Sequence, residues 1–201
     1  AIARTVDLTA LRAAYPQSVA RGLHRVYLGA APGVGKTFAM LNEGARRRER
    51  GDDVVVGWFQ EHGRPETTAK LGGLEIVSAR ALTYRGHPFE EMDVDAILAR
   101  RPEVALVDEL AHTNVPGSLN DKRWQDVEEL LEAGISVIST LNIQHLESIN
   151  DVVERITGVR QAETIPDAEV RRADQIELVD LTPEALRRRL ARGDVYAADK
   201  I

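Results

Sequence analysis

Nine consecutive residues, Gly29-Ala-Ala-Pro-Gly-Val-Gly-Lys-Thr37, constrain this chain more than any other stretch. Before them, Arg25-Val-Tyr-Leu28 reads as a short buried strand; after them, residues 38–50 read as a helix. A strand, a glycine-rich turn and a helix N-terminus make an anion site. The backbone N–H groups point inward, the helix dipole adds partial positive charge, and a lysine reaches the β- and γ-phosphates of a nucleotide. The expected ligand is a nucleoside triphosphate with Mg²⁺. Against the strict pattern G-x-x-x-x-G-K-[ST], the first glycine position is held by Ala30, with Gly29 one residue too early. Alanine fits there if the backbone does not need a positive φ. Gly33, Gly35, Lys36 and Thr37 stand where the chemistry requires them, and Ala31, Pro32 and Val34 complete the expected phosphate cradle.

A fold able to hold such a loop needs a sheet, and the chain is long enough for one. Its 201 residues suit one α/β domain, and 43% hydrophobic with 29% charged residues is ordinary for a soluble globular protein. A net charge of −6 argues against a dedicated nucleic-acid binder. The basic runs Arg46-Arg-Arg48 and Arg187-Arg-Arg189 fall near the C-terminal parts of expected helices, where cations suit the dipole, and read as solvated faces. With no cysteine, disulfides and thiolate metal sites are excluded, which fits a reducing compartment. No stretch approaches the roughly 18 apolar residues that span a bilayer, and the N-terminus lacks a signal-peptide layout. The expectation is a chain that is soluble and cytoplasmic as given.

Along the chain, strands alternate with helices. A helix is expected over residues 5–21, and strands over 53–59 and 74–77. Between those strands a short helix is expected over 66–71, while 79–92 look irregular and polar. Helices follow over 93–100 and 121–133, the latter with Trp124, Val127, Leu130 and Leu131 on one face. Strands fall over 104–108 and 136–141, a helix over 146–157 stops at Gly158, and a late strand covers 175–181. Thr182-Pro-Glu184 caps a final helix running to about residue 192. The pattern predicts an α/β fold: a three-layer αβα, P-loop NTPase-like domain with a mainly parallel sheet. Residues 1–23 form an N-terminal helical extension in this reading, and 24–201 the nucleotide-binding domain.

The second half of a phosphate site is legible at Val104-Ala-Leu-Val-Asp-Glu109. The apolar residues predict a buried strand beside the strand that feeds the glycine-rich loop, with Asp108 at its carboxyl end, where open α/β sheets bind ligands. In that arrangement Thr37 ligates Mg²⁺ directly and Asp108 holds it through water. Asp108 and Glu109 are the expected catalytic pair, with Glu109 orienting or deprotonating an attacking water or hydroxyl. Either could instead be an ordinary strand-end or surface acid. Asn142 and Gln144, after the strand at 136–141, can contact the γ-phosphate or position water, whereas the neighbouring His145 reads as structural. Arg64, in His62-Gly-Arg64, can bring a guanidinium to the phosphates but equally fits an exposed salt bridge. Arg64, Arg85 and Arg123 are the candidate cationic fingers. His112-Thr-Asn114 is a compact polar loop of the kind that moves with nucleotide state. The five histidines show no metal-ligand spacing.

With these residues in place, the chain resembles the N-terminal cytoplasmic domain of the KdpD family of potassium-sensing histidine kinases. The resemblance is carried by Leu28-Gly-Ala-Ala-Pro-Gly-Val-Gly-Lys-Thr-Phe-Ala-Met-Leu41, His62-Gly-Arg-Pro-Glu-Thr67 and Leu106-Val-Asp-Glu-Leu-Ala-His-Thr-Asn114. It continues through Lys122-Arg-Trp-Gln-Asp-Val-Glu-Glu-Leu-Leu131, Thr140-Leu-Asn-Ile-Gln-His-Leu-Glu-Ser148 and Gly193-Asp-Val-Tyr196. Together these span nearly everything beyond about residue 20. Trp58-Phe-Gln-Glu61 departs from the family pattern, which leaves Gln60 and Glu61 without an expected role. The resemblance implies an ATP–Mg²⁺-binding regulatory module of a sensor that answers potassium limitation or osmotic stress. Its implied partners are the remainder of the sensor kinase, a response regulator and the potassium pump that the regulator controls, with no nucleic acid. The chain holds no recognisable phosphoaccepting helix pair, transmembrane bundle or histidine-kinase core. It is therefore expected to be a cytoplasmic piece of a bacterial inner-membrane protein, without histidine autophosphorylation of its own. The alternative is a catalytic P-loop ATPase or a kinase acting on a protein hydroxyl.

Overall fold

Two of the buried strands, Val54-Val-Val-Gly-Trp58 and Val104-Ala-Leu-Val107, carry no polar residue, and a strand of that kind must be covered on both faces. A computed structural model of the chain, describing residues 20–59 and 71–192, shows how this is met. The strands are β1 (His24–Gly29), β2 (Val54–Trp58), β3 (Glu75–Ile76), β4 (Arg80–Tyr84), β5 (His87–Glu91), β6 (Val104–Val107), β7 (Ser136–Asn142) and β8 (Gln175–Val179). The helices are α1 (Lys36–Glu49), α2 (Val94–Arg100), α3 (Arg123–Glu132), α4 (Asn150–Thr157), α5 (Asp167–Arg171) and α6 (Pro183–Ala191). Six strands form one sheet in the order β3-β2-β6-β7-β1-β8, and every neighbouring pair is parallel.

Successive side chains on a strand point to opposite faces, and the burial follows that period. Tyr27, Val54, Val56, Val104, Leu106 and Ile138 pack with Met40 and Leu41 of α1 on one face. Val26, Val55, Ala105, Val107 and Val137 point the other way, onto Ile97 of α2 and Val127, Leu130 and Leu131 of α3. The three-layer α/β architecture expected from the pattern is present. Gly57 and Gly44 let the layers close, since a Cβ at either would lie within 2.7 Å of Ile97 or Leu106.

Four expectations change. The acid-ended strand β6 does not lie beside β1, because β7 pairs with both and separates them. Three similarly apolar strands compete for the central places, and nothing local in their sequences ranks them. Residues 79–92 are not irregular: β4 and β5 form an antiparallel hairpin outside the main sheet. Its residues are mostly exposed and so carry no alternation, but Arg85 and Gly86 both have positive φ (50° and 81°), as a two-residue hairpin turn requires. The helix expected from 146 begins only at Asn150, after two short 3₁₀ turns. Here Ile165 donates to the His145 carbonyl and accepts from Glu147 N–H, so that backbone serves a neighbouring segment instead of a helix. The short α5 was not foreseen. The expected helices over 5–21 and 66–71 fall almost wholly outside the described residues.

Gly22 sets the entry into β1. Its N–H donates to the Leu131 carbonyl at 2.8 Å, and a Cβ there would stand 2.1 Å from the Ile135 carbonyl oxygen. Backbone cannot yield as a side-chain tip can. Gly22→Ala is therefore expected to destabilise the domain by about 1–3 kcal/mol, read as a lower urea midpoint at unchanged slope.

Candidate functional site

The glycine-rich loop leaves the carboxyl end of β1 and turns directly into α1. Positive φ occurs at Gly33 (82°) and at Gly35 (106°), the residue that caps α1, and not at Ala30. The alanine at the strict first-glycine position is thus accommodated without strain. Gly29 has a different task. A Cβ on it would lie 2.5 Å from Lys36 Cδ and 2.8 Å from Val34 Cγ2, so the lysine stem folds back over the bare end of β1. Lys36 is buried, and its ammonium donates to the Ala31 carbonyl (3.3 Å) and to Asn142 Oδ1.

Asn142 is delivered by β7, whose register sets it opposite Gly29. One strand further, Asp108 emerges from β6 almost fully buried. Thr37 Oγ1 donates to its two carboxylate oxygens at 3.2 and 3.1 Å. Thr140, on the intervening β7, donates its hydroxyl to Asp108 Oδ1 and accepts from Glu109 N–H at 3.1 Å. Sequence reasoning passed over Thr140. The missing signal was the strand order, since a threonine two residues before Asn142 matters only if β7 stands between the loop and the acid. Glu109 itself adopts φ 58°, unusual for a residue with a side chain, at the rim of the same cavity.

That cavity encloses about 290 Å³. Lys36, Thr37, Asp108, Glu109, Asn142 and Gln144 line it, together with Pro32 and Gly33 of the loop. Val34 is buried beneath the loop. Chemically, the cavity offers one buried cation beside a helix N-terminus, with a hydroxyl and a carboxylate in mutual contact. The first pair suits a phosphate, and the hard oxygens suit Mg²⁺, which needs only one or two protein ligands plus water. Among the described residues no group of three or more His, Asp or Glu converges on a point.

The finger candidates diverge. Arg64 lies outside the described residues. Arg85 sits at the β4–β5 turn, over the Tyr84 ring. Arg123 is fully buried instead of being poised to swing. Its guanidinium stacks 4.5 Å over Trp58, donates to Glu91 Oε2 (3.1 Å) and to the Asp108 carbonyl (3.4 Å), and approaches Glu109 Oε2 at 3.8 Å. It supports the acidic pair from below. The loop at 112–114 is tied down: buried Asn114 donates to Asp126 (2.7 Å), and His112 bridges Glu91 (3.1 Å) and Glu163 (3.4 Å). His145 bonds the Glu163 carbonyl at 2.8 Å, as a structural histidine would. In the basic run at the chain's end, Arg187 and Arg188 are exposed, but Arg189 donates to the Gly33 carbonyl.

A family model described as the KdpD osmosensitive K⁺ channel His kinase sensor domain matches residues 20–201. The chain belongs to this family. Sensor protein KdpD of Mycobacterium tuberculosis (strain ATCC 25618 / H37Rv) is 65% identical over 181 residues, 90% of this chain and 21% of the relative. Sensor protein KdpD of Escherichia coli (strain K12) is 54% identical over 89% of this chain and 20% of its own length. A putative sensor protein KdpD of Synechocystis is 54% identical over 90% of this chain and 49% of its own. The chain thus spans a fifth to a half of these relatives. Among the described residues, no helix of this KdpD domain is long and apolar enough to cross a membrane.

The His112 bridge makes the domain's stability depend on pH. Burial opposes charging of this imidazole, but hydrogen bonds to Glu163 and Glu91 outweigh it and raise its pKa to about 9. Glu163, held chiefly by the His112 hydrogen bond against the cost of burial, falls to about 2. A group whose pKa is raised by folding contributes fully below its unfolded value, near 6.5, and loses that contribution as pH climbs through about 9. The size is at most about 3 kcal/mol. His24, lowered to about 4 mainly by burial, acts in the opposite sense below pH 6.5 and leaves the alkaline limb to His112. Urea midpoints from pH 7 to 9.5, above the His24 window, should fall for the wild type and stay nearly flat for His112→Gln.

Proposed function

We propose that this KdpD domain binds ATP with Mg²⁺ and serves as the regulatory nucleotide-binding module of a two-component sensor histidine kinase. In this reading the whole protein controls potassium uptake in response to potassium limitation or osmotic stress. The supporting observation is the meeting of Lys36, Thr37 and Asp108 at a glycine-rich loop on the rim of one cavity. Lys36 binds the β- and γ-phosphates, and the loop N–H groups together with the α1 N-terminus neutralise the remaining charge. Thr37 and Asp108 hold the metal ion, which when bound offsets charge on the terminal phosphates. Asn142, already bonded to the Lys36 ammonium, registers whether a γ-phosphate has taken its place. Gln144 faces the same end of the cavity. The module passes its nucleotide state to the rest of the sensor kinase, and through it to a response regulator and the potassium pump. It works on the cytoplasmic side of a bacterial inner membrane.

A second reading is favoured by Glu109. It lines the cavity directly beside Asp108, where its carboxylate can accept a proton from an attacking water or protein hydroxyl. ATP hydrolysis or transfer to a protein side chain would then accompany binding.

Two measurements separate these. A fluorescent ATP analogue titrated against the wild type and Lys36→Ala should show at least about a 10-fold loss of affinity in the variant. Equal affinity would remove the nucleotide reading. Phosphate release and protein phosphorylation, followed in the wild type and Glu109→Gln, address turnover. If the wild type stays at background, the catalytic reading fails; if turnover is robust and Glu109→Gln abolishes it, the binding-only reading fails.

A further inference from the structure

β1 lies between β7 and β8, and the two flanks of the loop differ in chemistry. Thr140 and Asn142 of β7, and Asp108 of β6 beyond it, all stand on one side. In the nucleotide reading these groups take the metal ion and the terminal phosphates. A triphosphate whose γ end lies there must lead its α-phosphate and nucleoside away from β7, across the loop toward β8.

The chain supplies a cation on that second flank. β8 runs parallel to β1 with Val179 opposite Gly29, so it emerges at the same edge of the sheet as the loop. Thr182 caps α6 by accepting from Ala185 N–H, and Pro183 opens the helix. Two turns later Arg189 reaches back. Its Nη1 donates to the Gly33 carbonyl at 3.0 Å and stands 3.9 Å from where a Cβ on Gly35 would be. Arg187 and Arg188 are exposed, whereas Arg189 is half-buried against the loop. Among the described residues Arg189 forms no ion pair, so a full positive charge is held by a neutral carbonyl. A guanidinium has five donors in a fork that matches phosphate oxygens.

We propose that Arg189 binds the α-phosphate, on the side of the loop opposite Asp108, and so links α6 to nucleotide occupancy. This rests on the nucleotide reading above. The α-phosphate is common to ATP and ADP, whereas a contact to the terminal phosphate would distinguish them.

The test uses the 201-residue chain and measures ATP and ADP affinities, each with Mg²⁺, by displacement of a fluorescent nucleotide. Arg189→Ala should weaken both by the same factor, about 10-fold, leaving their ratio as in the wild type. Arg189→Lys, which keeps a point charge but loses the fork, should recover part of the loss. Arg187→Ala should bind both as the wild type does. Thermal unfolding of each variant at the wild-type midpoint shows that α6 is intact. Unchanged affinities in Arg189→Ala, with the wild type binding, overturn this inference alone. A loss confined to ATP overturns it too, by moving the contact to the terminal phosphate. A wild type that binds neither nucleotide removes the nucleotide reading and this inference together.

Discussion

The register of β7 against β1 is the constraint on which the site depends, because it decides what stands beside the glycine-rich loop. With Gly29 opposite Asn142, the amide oxygen of Asn142 meets the ammonium of Lys36. Two residues earlier on the same face of β7, Thr140 falls between the loop and β6. Its hydroxyl can then donate to Asp108 and accept from Glu109 N–H, while its carbonyl takes Leu110 N–H at 2.9 Å. A slip of one residue would turn Thr140 and Asn142 to the opposite face and remove both contacts. The apolar residues between, buried on both sides of the sheet, make that slip expensive. Core burial and site geometry are therefore the same constraint seen at two ends of one strand.

A second frame supports the acids from below. Arg123, the first residue of α3, brings a fully buried charge under the Asp108 carbonyl and beside Glu109. Such a charge is costly unless paired, and Glu91, itself almost fully buried at the end of the β4–β5 hairpin, supplies the partner. Glu91 also takes His112 and the N–H of Val115 at 2.8 Å. The hairpin, which contributes nothing to the main sheet, is thus tied to the site through one carboxylate. Without it, Arg123 would lose its principal counter-charge.

What was legible in the sequence is what is local. The loop, the helix that follows and Asp108 at a strand end all depend on neighbours within a few residues. The alternation of strands and helices along the chain pointed to the three layers for the same reason. Which strands neighbour one another is not local, and the expectation that β6 adjoins β1 failed there. Thr140 was lost with it. Arg123 read as a mobile finger because an arginine at a helix start is normally solvated; only the converging partners Trp58, Glu91 and Glu109 show that it is enclosed. Arg189 was hidden in a triplet that suits a solvated C-terminal turn, and two of the three do behave that way. Its contact lies 156 residues away in sequence.

The adjacent acids are separated by their surroundings more than by their chemistry. Asp108 is enclosed, with the hydroxyls of Thr37 and Thr140 donating to its oxygens. Glu109 is more open, and its backbone stands in a region that costs of order 1 kcal/mol for a residue with a side chain. That cost is sustained by fixed partners: Thr140 Oγ1 on the Glu109 N–H, the Glu109 carbonyl accepting His112 N–H at 3.0 Å, and Arg123 beneath the carboxylate. A carboxylate held this way needs no rearrangement to face the cavity, whereas Asp108 cannot leave its hydroxyls without losing them. The pair is therefore built with one fixed and one presented acid, and any difference in their roles follows from that division.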